Sequence, residues 1–493
     1  MLDNTPIFPD VFDFQSDKFK EECGVYAVFG HEDASAMTAL GLHALQHRGQ
    51  EACGIAACDG KTFNVKRALG LVDQTFSQAS VIDGLKGNLA IGHNRYSTSG
   101  TPVIRNVQPL FADLDFGGLA LAHNGNLTNA YSLRNELVKN GALFQSTSDT
   151  EVIIHLIARS KQNNLEARLI EALKKVEGAY SLVVMAEDKI IGVRDPYGVR
   201  PLVLGKYKGA YILASETCAL DIVSAEYVRD ILPGEMVSIT DKGIVSQFPF
   251  GKQAERFCIF EYIYFARPDS HLNQKSVYEM RKNIGKELAT ESPVEGADIV
   301  VPVPDSGVPS AIGYAQASGL PFELGIIRNH YVGRTFIEPT DQIRHLGVKL
   351  KHNSNRKLIE GKSVILVDDS IVRGTTSKKI VEMVRAAGAR EVHMRISSPP
   401  SKHSCFYGID TPESKDLLAH SNSVEAIKEM INVDSIAYIS MDGLYRAVGE
   451  TKRHNAAPQF CDACFSGDYP ISLTDREGNH DSMKVSSMKE ASK

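Results

Sequence analysis

The chain has 493 residues, 43% of them hydrophobic and 23% charged, with a formal net charge of -6 and a pI near 6.2. This length predicts a globular protein of two to four domains. The mild acidity and the absence of a long basic block exclude a nucleic-acid footprint and favour small anions bound at local sites. The apolar runs are shorter than the roughly 18 residues that span a bilayer, and residues 1–22 contain six acids. We therefore expect a cytoplasmic protein.

Between Cys23 and about residue 250, short strand-like runs outnumber helical segments. The strand-like runs are 23–30, 87–100, 117–127, 179–188, 189–195 and 210–216, and apolar periodicity predicts helices near 34–46, 128–140 and 149–160. Strands that come in clusters are typical of antiparallel sheets with helices packed outside. The sequence therefore predicts an α+β domain over 23–255.

The pattern changes after about residue 256. Helices are predicted over 276–292, 306–318 and 376–388, and strands at "DIVVPVPDS", "ELGIIR" and "KSVILVDDS". This alternation is typical of a parallel α/β domain, which we place over 256–470. The long polar and basic stretch 328–351 lies between its strands, and connections of that length are usually functional or disordered. The polar residues 471–493 are predicted to form a frayed tail.

Cys23 is a candidate nucleophile. A cysteine is reactive as a thiolate, and an N-terminal residue carries its own base, an α-amino group with an ordinary pKa of about 7.7 to 8.0. "CG" alone is a weak signal, because a single cysteine is more often a small buried apolar residue. However, "HNRYSTSG" (93–100), "HNGNLTN" (123–129) and "STSDTE" (146–151) each put polar groups at the end of a strand or the start of a helix, where they could converge on a ligand.

Five motifs occur in order: Cys23-Gly24, "LQHRGQE" (45–51), "HNRYSTSG", "HNGNL" and "SDTE". Together they resemble the glutaminase domain of the N-terminal-nucleophile amidotransferases, which implies an αββα fold for 23–255. In that family the mature protein begins at the cysteine. The resemblance therefore implies that residues 1–22 are a propeptide, removed between Glu22 and Cys23.

The resemblance also implies the catalytic roles. Cys23 would attack the side-chain amide of glutamine to form a thioester, with its own amine shuttling the proton. The side chain of Asn124 and the backbone N–H of Gly125 would form the oxyanion hole. Taken singly, Asn124-Gly125 is equally consistent with a turn.

Three further residues would hold the substrate. The planar fork of Arg95 suits the α-carboxylate of glutamine, and Asp149 would hold its α-ammonium. Arg48 would shape the same pocket. Arg95 or Asp149 alone is equally consistent with a solvated surface charge, and the set together favours the site.

A second site is predicted in the α/β half. "KSVILVDDSIVRGTTSKKIVEMV" runs from an apolar strand through Asp368 and Asp369 into a small-residue loop and a helix. Backbone N–H groups of 373–376 can cradle a phosphate with help from the helix dipole. Carboxylates repel phosphate but bind ribose hydroxyls and Mg²⁺. An acidic pair after a strand is otherwise a helix N-cap pair, and the loop decides against that interpretation.

This segment resembles the phosphoribosylpyrophosphate (PRPP) signature of type I phosphoribosyltransferases. "VPVPDSG" (301–307) resembles the pyrophosphate loop of that fold, and 328–351 its flexible lid. The resemblance implies Mg²⁺ held by Ser306, Asp368 and Asp369. The residues it assigns to PRPP are Asp305, Ser306, Gly307, Asp368, Asp369, Arg373, Gly374, Thr375 and Thr376, with Arg334 and Lys349 as lid candidates, although solvated loop cations are commoner. "GIAACDGKT" (54–62) is set aside as a Walker A loop, because five residues rather than four separate its glycines.

The two resemblances together, to a glutaminase and to a PRPP domain in one chain, imply that ammonia released from glutamine is delivered to C1 of PRPP. The products would be 5-phosphoribosylamine, pyrophosphate and glutamate, in the committed step of purine synthesis. Free ammonia is mostly protonated at neutral pH, so a closed path between the sites is expected, and closure of 328–351 would build it. The family also implies a homotetramer inhibited by purine nucleotides. Two alternatives stay open: a glutamine-dependent enzyme that makes an amino sugar, and a PRPP- or nucleotide-binding regulator without catalysis.

Four cysteines form a further candidate set. "CDAC" (461–464) alone is consistent with a redox pair, half a zinc site or chance, and Cys258 and Cys405 would complete a set of four. One branch of the family, which also carries the propeptide, has cysteines in these contexts, including a closing "CxxCF" as in "CDACFSGDYP". The resemblance therefore implies that Cys258, Cys405, Cys461 and Cys464 ligate a 4Fe-4S cluster with a structural or oxygen-sensing role, with zinc as the alternative. The apolar contexts of Cys53, Cys58 and Cys218 predict core positions.

Overall fold

The computed structural model describes residues 23–96, 103–329 and 352–476, which divide into two units. The described residues of the large unit are 23–96, 103–280, 404–411 and 453–476, and those of the small unit are 281–329, 352–403 and 412–452. The predicted propeptide and most of the predicted lid lie outside the described residues. Within the described ranges, no helix is long and apolar enough to cross a membrane.

Two antiparallel sheets make up most of the large unit. Their strands are β1 (Gly24–Phe29), β2 (Ala52–Cys58), β3 (Phe63–Leu69), β4 (Leu89–Arg95), β5 (Leu110–Leu114), β6 (Gly117–Leu127), β7 (Gly178–Met185), β8 (Ile190–Arg194), β9 (Val203–Tyr207), β10 (Ala210–Ala214), β11 (Glu226–Asp230), β12 (Met236–Thr240) and β13 (Gly243–Gln247). Seven strands pair in the order β11-β9-β10-β1-β4-β2-β3, and six in the order β13-β12-β8-β7-β6-β5.

Helices flank the two sheets. The helices of the large unit are Ala34–Ala44, Val72–Phe76, Ala79–Asp83, Ala130–Lys139, Thr150–Arg159, Leu165–Leu173, Cys218–Asp221 and Ala463–Ser466, with shorter helical turns at Gln46–Arg48, Ile104–Asn106 and Glu261–Phe265.

The side-chain alternation of the central strands produces the layers. On β1, Val25 and Ala27 lie in the core between the two sheets, whereas Tyr26 and Val28 face the core under helix Ala34–Ala44. On β6, alternate residues contribute to the core between the sheets and to the core under the helices on the other side. A strand buried on both faces needs apolar residues at every position, which is what these runs provide. The αββα architecture predicted for this part of the chain is confirmed.

The remaining strands are β14 (Phe257–Cys258), β15 (His271–Leu272), β16 (Lys275–Ser276), β17 (Ile299–Pro302), β18 (Ile326–Arg328), β19 (His352–Ser354), β20 (Ser363–Asp368), β21 (Glu391–Ile396), β22 (Ser435–Tyr438) and β23 (Phe460–Cys461). The remaining helices are Val277–Glu291, Val308–Ser318, Arg356–Ile359, Thr375–Ala386, Leu418–Ser421, Val424–Ile431 and Met441–Ala447, with a helical turn at Ser414–Asp416.

A parallel sheet in the order β17-β20-β21-β22 forms the centre of the small unit. Its strands contribute an apolar core, as expected of a parallel sheet in an α/β fold. The predicted strand "ELGIIR" is different: β18 pairs antiparallel with β19 in a separate two-stranded ribbon. The apolar run correctly indicated a strand, but periodicity carries no information about its partner.

The predicted boundary at residue 256 needs correction, because the residues 256–280, 404–411 and 453–470 belong to the large unit. β14 pairs in parallel with β23, which puts Phe257 opposite Phe460 and Cys258 opposite Cys461. These strands have only two residues each, and their partners are about 200 positions apart, so no local pattern indicated the pairing.

The start of the predicted frayed tail is bound to the large unit. Tyr407 Oη donates to the carbonyl of Ile471 at 2.6 Å, and Asp475 accepts from the N–H groups of Tyr131 and Ser132 at 2.7 and 3.0 Å. Because Tyr131 and Ser132 lie at the start of helix Ala130–Lys139, Asp475 caps that helix. Residues 471–476 are therefore docked, and the remainder of the predicted tail lies outside the described residues.

Candidate functional site

Cys23 immediately precedes β1, the middle strand of the seven-stranded sheet. In the β1–β4 register Gly24 lies opposite Asn94, so Cys23 and Arg95 occupy neighbouring positions at one end of the sheet. Cys23 is buried, and its Sγ lies 3.5 Å from the carbonyl oxygen of Tyr96. Burial raises the pKa of the thiol to about 11. At neutral pH the thiol is therefore protonated, and nucleophilic attack requires a base.

The motif "LQHRGQE" contributes Arg48, which contacts the main chain of Cys23. Arg48 lies 2.5 Å from Glu216 and 2.8 Å from Glu261, and its Nε donates to the carbonyl of Cys23 at 3.3 Å. All three charged side chains are buried. Burial by itself disfavours both charged forms, since it lowers the pKa of Arg48 and raises that of Glu216. The two carboxylates nevertheless raise the pKa of Arg48, and His47 and Arg48 lower the pKa of Glu216. We therefore interpret Arg48 as a support for the Cys23 main chain rather than as a ligand of glutamine.

The glycine of the same motif explains a close packing contact. A Cβ built on Gly49 would lie 2.7 Å from the carbonyl carbon of Arg95 and 2.8 Å from that of Asn94. A side chain at Gly49 would therefore displace the end of β4, where Arg95 is held.

Asn124 and Gly125 lie on β6, in the second sheet. Asn124 is fully buried; its Nδ2 is 3.5 Å from Ser215 Oγ, and that oxygen also accepts from the N–H of Val25 at 3.0 Å. The Oδ1 of Asn124 has no hydrogen-bond partner among the described residues. Gly125 has φ +144, and a Cβ on it would lie 2.1 Å from the carbonyl oxygen of Ala179. Only glycine fits this position, two residues before the end of β6.

Two histidines tie the motifs together across the sheets. His93 Nε2 donates to the carbonyl of His123 at 3.0 Å, and burial lowers the pKa of His93 to about 3, which keeps it neutral. The N–H of His123 donates to Gln108 at 2.7 Å, and Gln108 donates to Thr150 at 3.0 Å. Gln108 lies outside every motif, and nothing in the sequence marks it.

Asp149 lies at the start of helix Thr150–Arg159. One carboxylate oxygen accepts from the N–H of Leu127 at 3.0 Å, which fixes the end of β6, and the other accepts from the N–H of Thr150 at 2.8 Å. Arg95 and Asp149 both act electrostatically on Cys23, with opposite signs. The structure thus brings a cation and an anion near the thiol, as the sequence predicted. A bound amino acid carries the complementary pair of charges.

Glu151, in the same motif, has a role that the sequence did not reveal. Its two oxygens accept from the N–H groups of Gln145 and Ser146, both at 2.7 Å, and from Ser146 Oγ at 2.6 Å. These hydrogen bonds fix the backbone of residues 145–146, which leads into Asp149.

The acidic pair of the small unit lies at the carboxyl end of β20. Asp368 and Asp369 are both 1% exposed, and Ser306 Oγ donates to Asp369 at 2.5 Å. A Cβ on Gly307 would lie 2.3 Å from the carbonyl oxygen of Val367, so the loop after β17 packs directly on β20. Ligands of open α/β sheets bind at this edge of the strands.

The start of helix Thr375–Ala386 follows the acidic pair. Its N-cap is Gly374, with φ +83, and Arg373, Thr375 and Thr376 flank it as the sequence predicted. Asp305 forms an ion pair with Arg328, which the sequence alone did not predict. Arg334 and Lys349 lie outside the described residues, so their assignment stays a prediction.

The four candidate ligand cysteines occupy one region of the large unit. Burial raises the pKa of Cys258 and of Cys461 to about 12, and the other three cysteines all act electrostatically on Cys464. Among the described residues, no group of three or more Cys, His, Asp or Glu side chains is arranged to hold a metal ion. The region nevertheless gathers four sulfur donors.

Two smaller predictions concern the first 220 residues. Cys53, Cys58 and Cys218 are buried core residues, as predicted. The Walker-like stretch 54–62 is the strand β2 and the turn into β3, so it is not a phosphate loop.

These features define a glutamine amidotransferase joined to a phosphoribosyltransferase. The sequence profile of the glutamine amidotransferase domain matches residues 93–221, and that of the phosphoribosyl transferase domain matches residues 272–401. The amidophosphoribosyltransferase of Rhizobium etli is 56% identical over 485 residues, 97% of this chain and 98% of its own length. The Bacillus subtilis relative is 49% identical over 92% of this chain and 95% of its own length. The chain belongs to the amidophosphoribosyltransferase family.

A solved structure agrees with this assignment. The glutamine PRPP amidotransferase from B. subtilis, complexed with ADP and GMP, superposes with a TM-score of 0.87 at 48% identity, over 92% of this chain and 98% of its own. The chain is therefore a glutamine-dependent pentosyltransferase of purine biosynthesis. The amino-sugar and non-catalytic alternatives are excluded, because the second domain is a phosphoribosyltransferase and the relatives are enzymes.

Proposed function

We propose that Cys23 carries out the glutaminase half-reaction as an N-terminal nucleophile. The supporting observation is a buried thiol at the start of β1, beside the end of β4 and within electrostatic range of Arg95 and Asp149. Sγ attacks the amide carbon of glutamine, the thiol proton passes to the α-amine of Cys23, and Asn124 Nδ2 and the Gly125 N–H donate to the oxyanion. Collapse expels ammonia with that proton and leaves a γ-glutamyl thioester, which water hydrolyses to glutamate.

Arg95 and Asp149 orient the substrate in this proposal. Arg95 is buried at the end of β4, where a planar guanidinium can bind a carboxylate with two hydrogen bonds. Asp149 binds the α-ammonium and, through its contact with Leu127, couples substrate binding to the strand that carries Asn124 and Gly125.

The α-amine of Cys23 exists only after the bond to Glu22 is cut. We therefore propose that residues 1–22 are a propeptide whose removal activates the enzyme. N-terminal sequencing of the purified enzyme should begin at Cys23. Full glutaminase activity in protein that still begins at Met1 would contradict the proposal, and Cys23→Ala provides the inactive control.

The small unit provides the PRPP site in this proposal. Ser306, Asp368 and Asp369 fit a Mg²⁺ site, because two buried carboxylates and a hydroxyl are hard oxygen donors held together by the hydrogen bond from Ser306 to Asp369. When bound, Mg²⁺ neutralises the charge of the departing pyrophosphate. The N–H groups of 373–376 bind a phosphate at the helix N-terminus, and Asp305 with Gly307 belongs to the pyrophosphate loop. Arg334 and Lys349 remain lid candidates, and lid closure would complete the ammonia path.

The four cysteines provide the donors for an iron–sulfur cluster, with zinc as the alternative. Cys258, Cys405 and Cys461 all act electrostatically on Cys464, which indicates that the four side chains lie close together, and four cysteine thiolates are the ligand set of a 4Fe-4S cluster. We propose that Cys258, Cys405, Cys461 and Cys464 ligate a 4Fe-4S cluster that cross-links these segments, which are distant in the sequence. Anaerobic protein should contain about four iron and four sulfide per chain. Stoichiometric zinc, with no iron, would contradict this.

The family also supports three proposals about regulation and context. We propose that purine nucleotides inhibit the enzyme, since the B. subtilis structure was determined with ADP and GMP bound. We further propose a homotetramer in the cytoplasm. Inhibition of the coupled reaction by added purine nucleotides tests the first proposal. Sedimentation tests the assembly, because monomers with and without nucleotides would contradict it.

One coupled assay tests the whole assignment of sites. Glutamate release by anaerobically purified enzyme is measured with and without PRPP and Mg²⁺, and pyrophosphate is followed in parallel. Release that rises with PRPP and matches pyrophosphate one for one supports both sites. A Cys23→Ala variant should lose glutamine use and keep ammonia-dependent pyrophosphate release, and loss of both would contradict the separate roles.

A further inference from the structure

Residues 404–411 belong to the large unit, although the chain on both sides of them belongs to the small unit. This segment packs directly on β6 at the proposed oxyanion hole. A Cβ built on Gly408 would lie 3.0 Å from Gly125 Cα and 3.2 Å from its carbonyl carbon. Gly408 also has φ +117, which L-residues rarely adopt. Backbone therefore meets backbone here, with no room for a side chain.

Gly125 is held by two neighbours. It pairs with Tyr180 on β7, and the carbonyl oxygen of Ala179 occupies the position of its missing side chain. Gly408 provides the second contact. The next residue, Asn126, donates through Nδ2 to the carbonyl of Phe406 at 3.0 Å, which links β6 to the same segment. These contacts constrain the backbone at Gly125.

The segment is itself firmly anchored. Arg200, which is fully buried, donates through Nε to the carbonyl of Tyr407 at 2.8 Å and pairs with Glu261 at 3.3 Å. Tyr407 is also buried, and its hydroxyl donates to the carbonyl of Ile471. The N–H of Cys405 donates to Thr411 Oγ1 at 2.8 Å, which closes the segment on itself. A segment anchored at several points can resist displacement of the strand it contacts.

We propose that residues 404–411 are a positioning element of the glutaminase site: Gly408 and the carbonyl of Phe406 hold Gly125 in the orientation that directs its N–H at the oxyanion. The inference rests on the oxyanion role proposed for Gly125. An oxyanion donor acts on the transition state and not on bound glutamine, so its misplacement lowers kcat without raising KM. Neither the segment nor Gly408 belongs to any glutaminase motif.

The test is Gly408→Ala, with Gly243→Ala as the matched control. Gly243 has a similar φ of +105, and nothing lies within 4 Å of its Cβ position, so the control carries the backbone strain without the contact. We expect Gly408→Ala to lower kcat for glutamine hydrolysis about 10- to 100-fold, which does not exceed the effect of removing an oxyanion-hole donor altogether. The KM for glutamine and the rate of ammonia-dependent pyrophosphate release should be unchanged. Gly243→Ala should leave all three values unchanged. Equal kcat in the two variants would overturn the proposal.

A second variant covers the case in which Gly408→Ala does not fold. Asn126→Ala removes the hydrogen bond to Phe406 without backbone strain, and we expect a loss of kcat of about threefold to tenfold at constant KM. An unchanged kcat, or a raised KM in place of a lowered kcat, would contradict positioning.

Asn124→Ala separates this inference from the proposed function. If Asn124→Ala lowers kcat and Gly408→Ala does not, only the positioning role fails. If Asn124→Ala also leaves kcat unchanged, the oxyanion hole itself is wrongly assigned, and the positioning role fails with it.

Discussion

Arg48 donates through Nε to the main-chain carbonyl of Cys23 at 3.3 Å, from the middle of a buried group of charges. The other guanidinium nitrogens pair with Glu216 and Glu261, so the position of the nucleophile's backbone depends on an ion-pair network. One of these carboxylates also pairs with Arg200, which holds the segment 404–411. Cys23 and Gly125 are thus supported through the same carboxylate, Glu261.

Arg48→Lys should weaken both stability and glutamine turnover. A lysine ammonium cannot reproduce the planar fork that reaches two carboxylates and a carbonyl together. Because an incompletely paired buried charge typically costs about 3 to 5 kcal/mol, we expect the free energy of unfolding of the large unit to fall by about 3 kcal/mol. Urea denaturation and glutaminase kinetics measure the two effects. Arg168→Lys is the control, since Arg168 pairs with the exposed Asp115. Equal destabilisation by the two substitutions would contradict the prediction.

Glu151→Gln should destabilise the enzyme in a pH-dependent manner. Burial by itself raises the pKa of Glu151, but hydrogen bonds from His155, Gln145 and Ser146 together lower it to about 2. A carboxylate whose folded pKa lies below the ordinary 4.5 contributes stability above pH 4.5 and loses it as the pH falls toward 2. We expect a loss of about 1 to 3 kcal/mol at pH 7. The free energies of unfolding of the two proteins should converge as the pH falls below 4.5. A constant difference between them down to pH 3 would argue against stabilisation by the hydrogen bonds that Glu151 accepts.

Gly49→Ala should weaken glutamine binding. The added methyl group would lie 2.7 Å from the backbone of Arg95, and the end of β4 would have to move. Overpacking of this kind costs about 1 to 3 kcal/mol, and the displaced guanidinium should raise the Kd for glutamine about tenfold or more. Calorimetric titration of glutamine into Cys23→Ala protein, with and without the substitution, measures this. Gly84→Ala, whose nearest neighbour is 3.4 Å away, is the control. Unchanged affinity would show that β4 tolerates the methyl group.

Ser306→Ala should raise the Mg²⁺ requirement. Ser306 donates to Asp369 at 2.5 Å, and groups that orient a metal ligand typically change metal affinity about 10- to 100-fold when removed. We expect the half-saturating Mg²⁺ concentration for ammonia-dependent pyrophosphate release to rise about tenfold. Ser318→Ala, at the far end of the following helix, should have no effect. An unchanged Mg²⁺ titration would remove Ser306 from the metal site.

The sequence by itself determined the two kinds of fold and was sufficient to propose the site residues. Side-chain periodicity is local, so the strands β1, β6 and β20 and the helix Thr375–Ala386 were predicted close to their observed ends. The motifs are also short and continuous, which is why Cys23, Asn124 and Asp149 could be proposed without knowledge of their neighbours. Their convergence followed from the fold that the motifs imply.

Only the tertiary structure decided which distant residues support that site. Arg48 acts on the Cys23 backbone through Glu216 and Glu261, and a carboxylate more than 160 residues away leaves no periodic signal near Arg48. The segment 404–411 gives no sequence signal of its contact with Gly125 either, since the two meet through backbone atoms alone. The physical reason is the range of each interaction: periodicity and motif spacing act along the chain, whereas ion pairing, burial and backbone packing act through space.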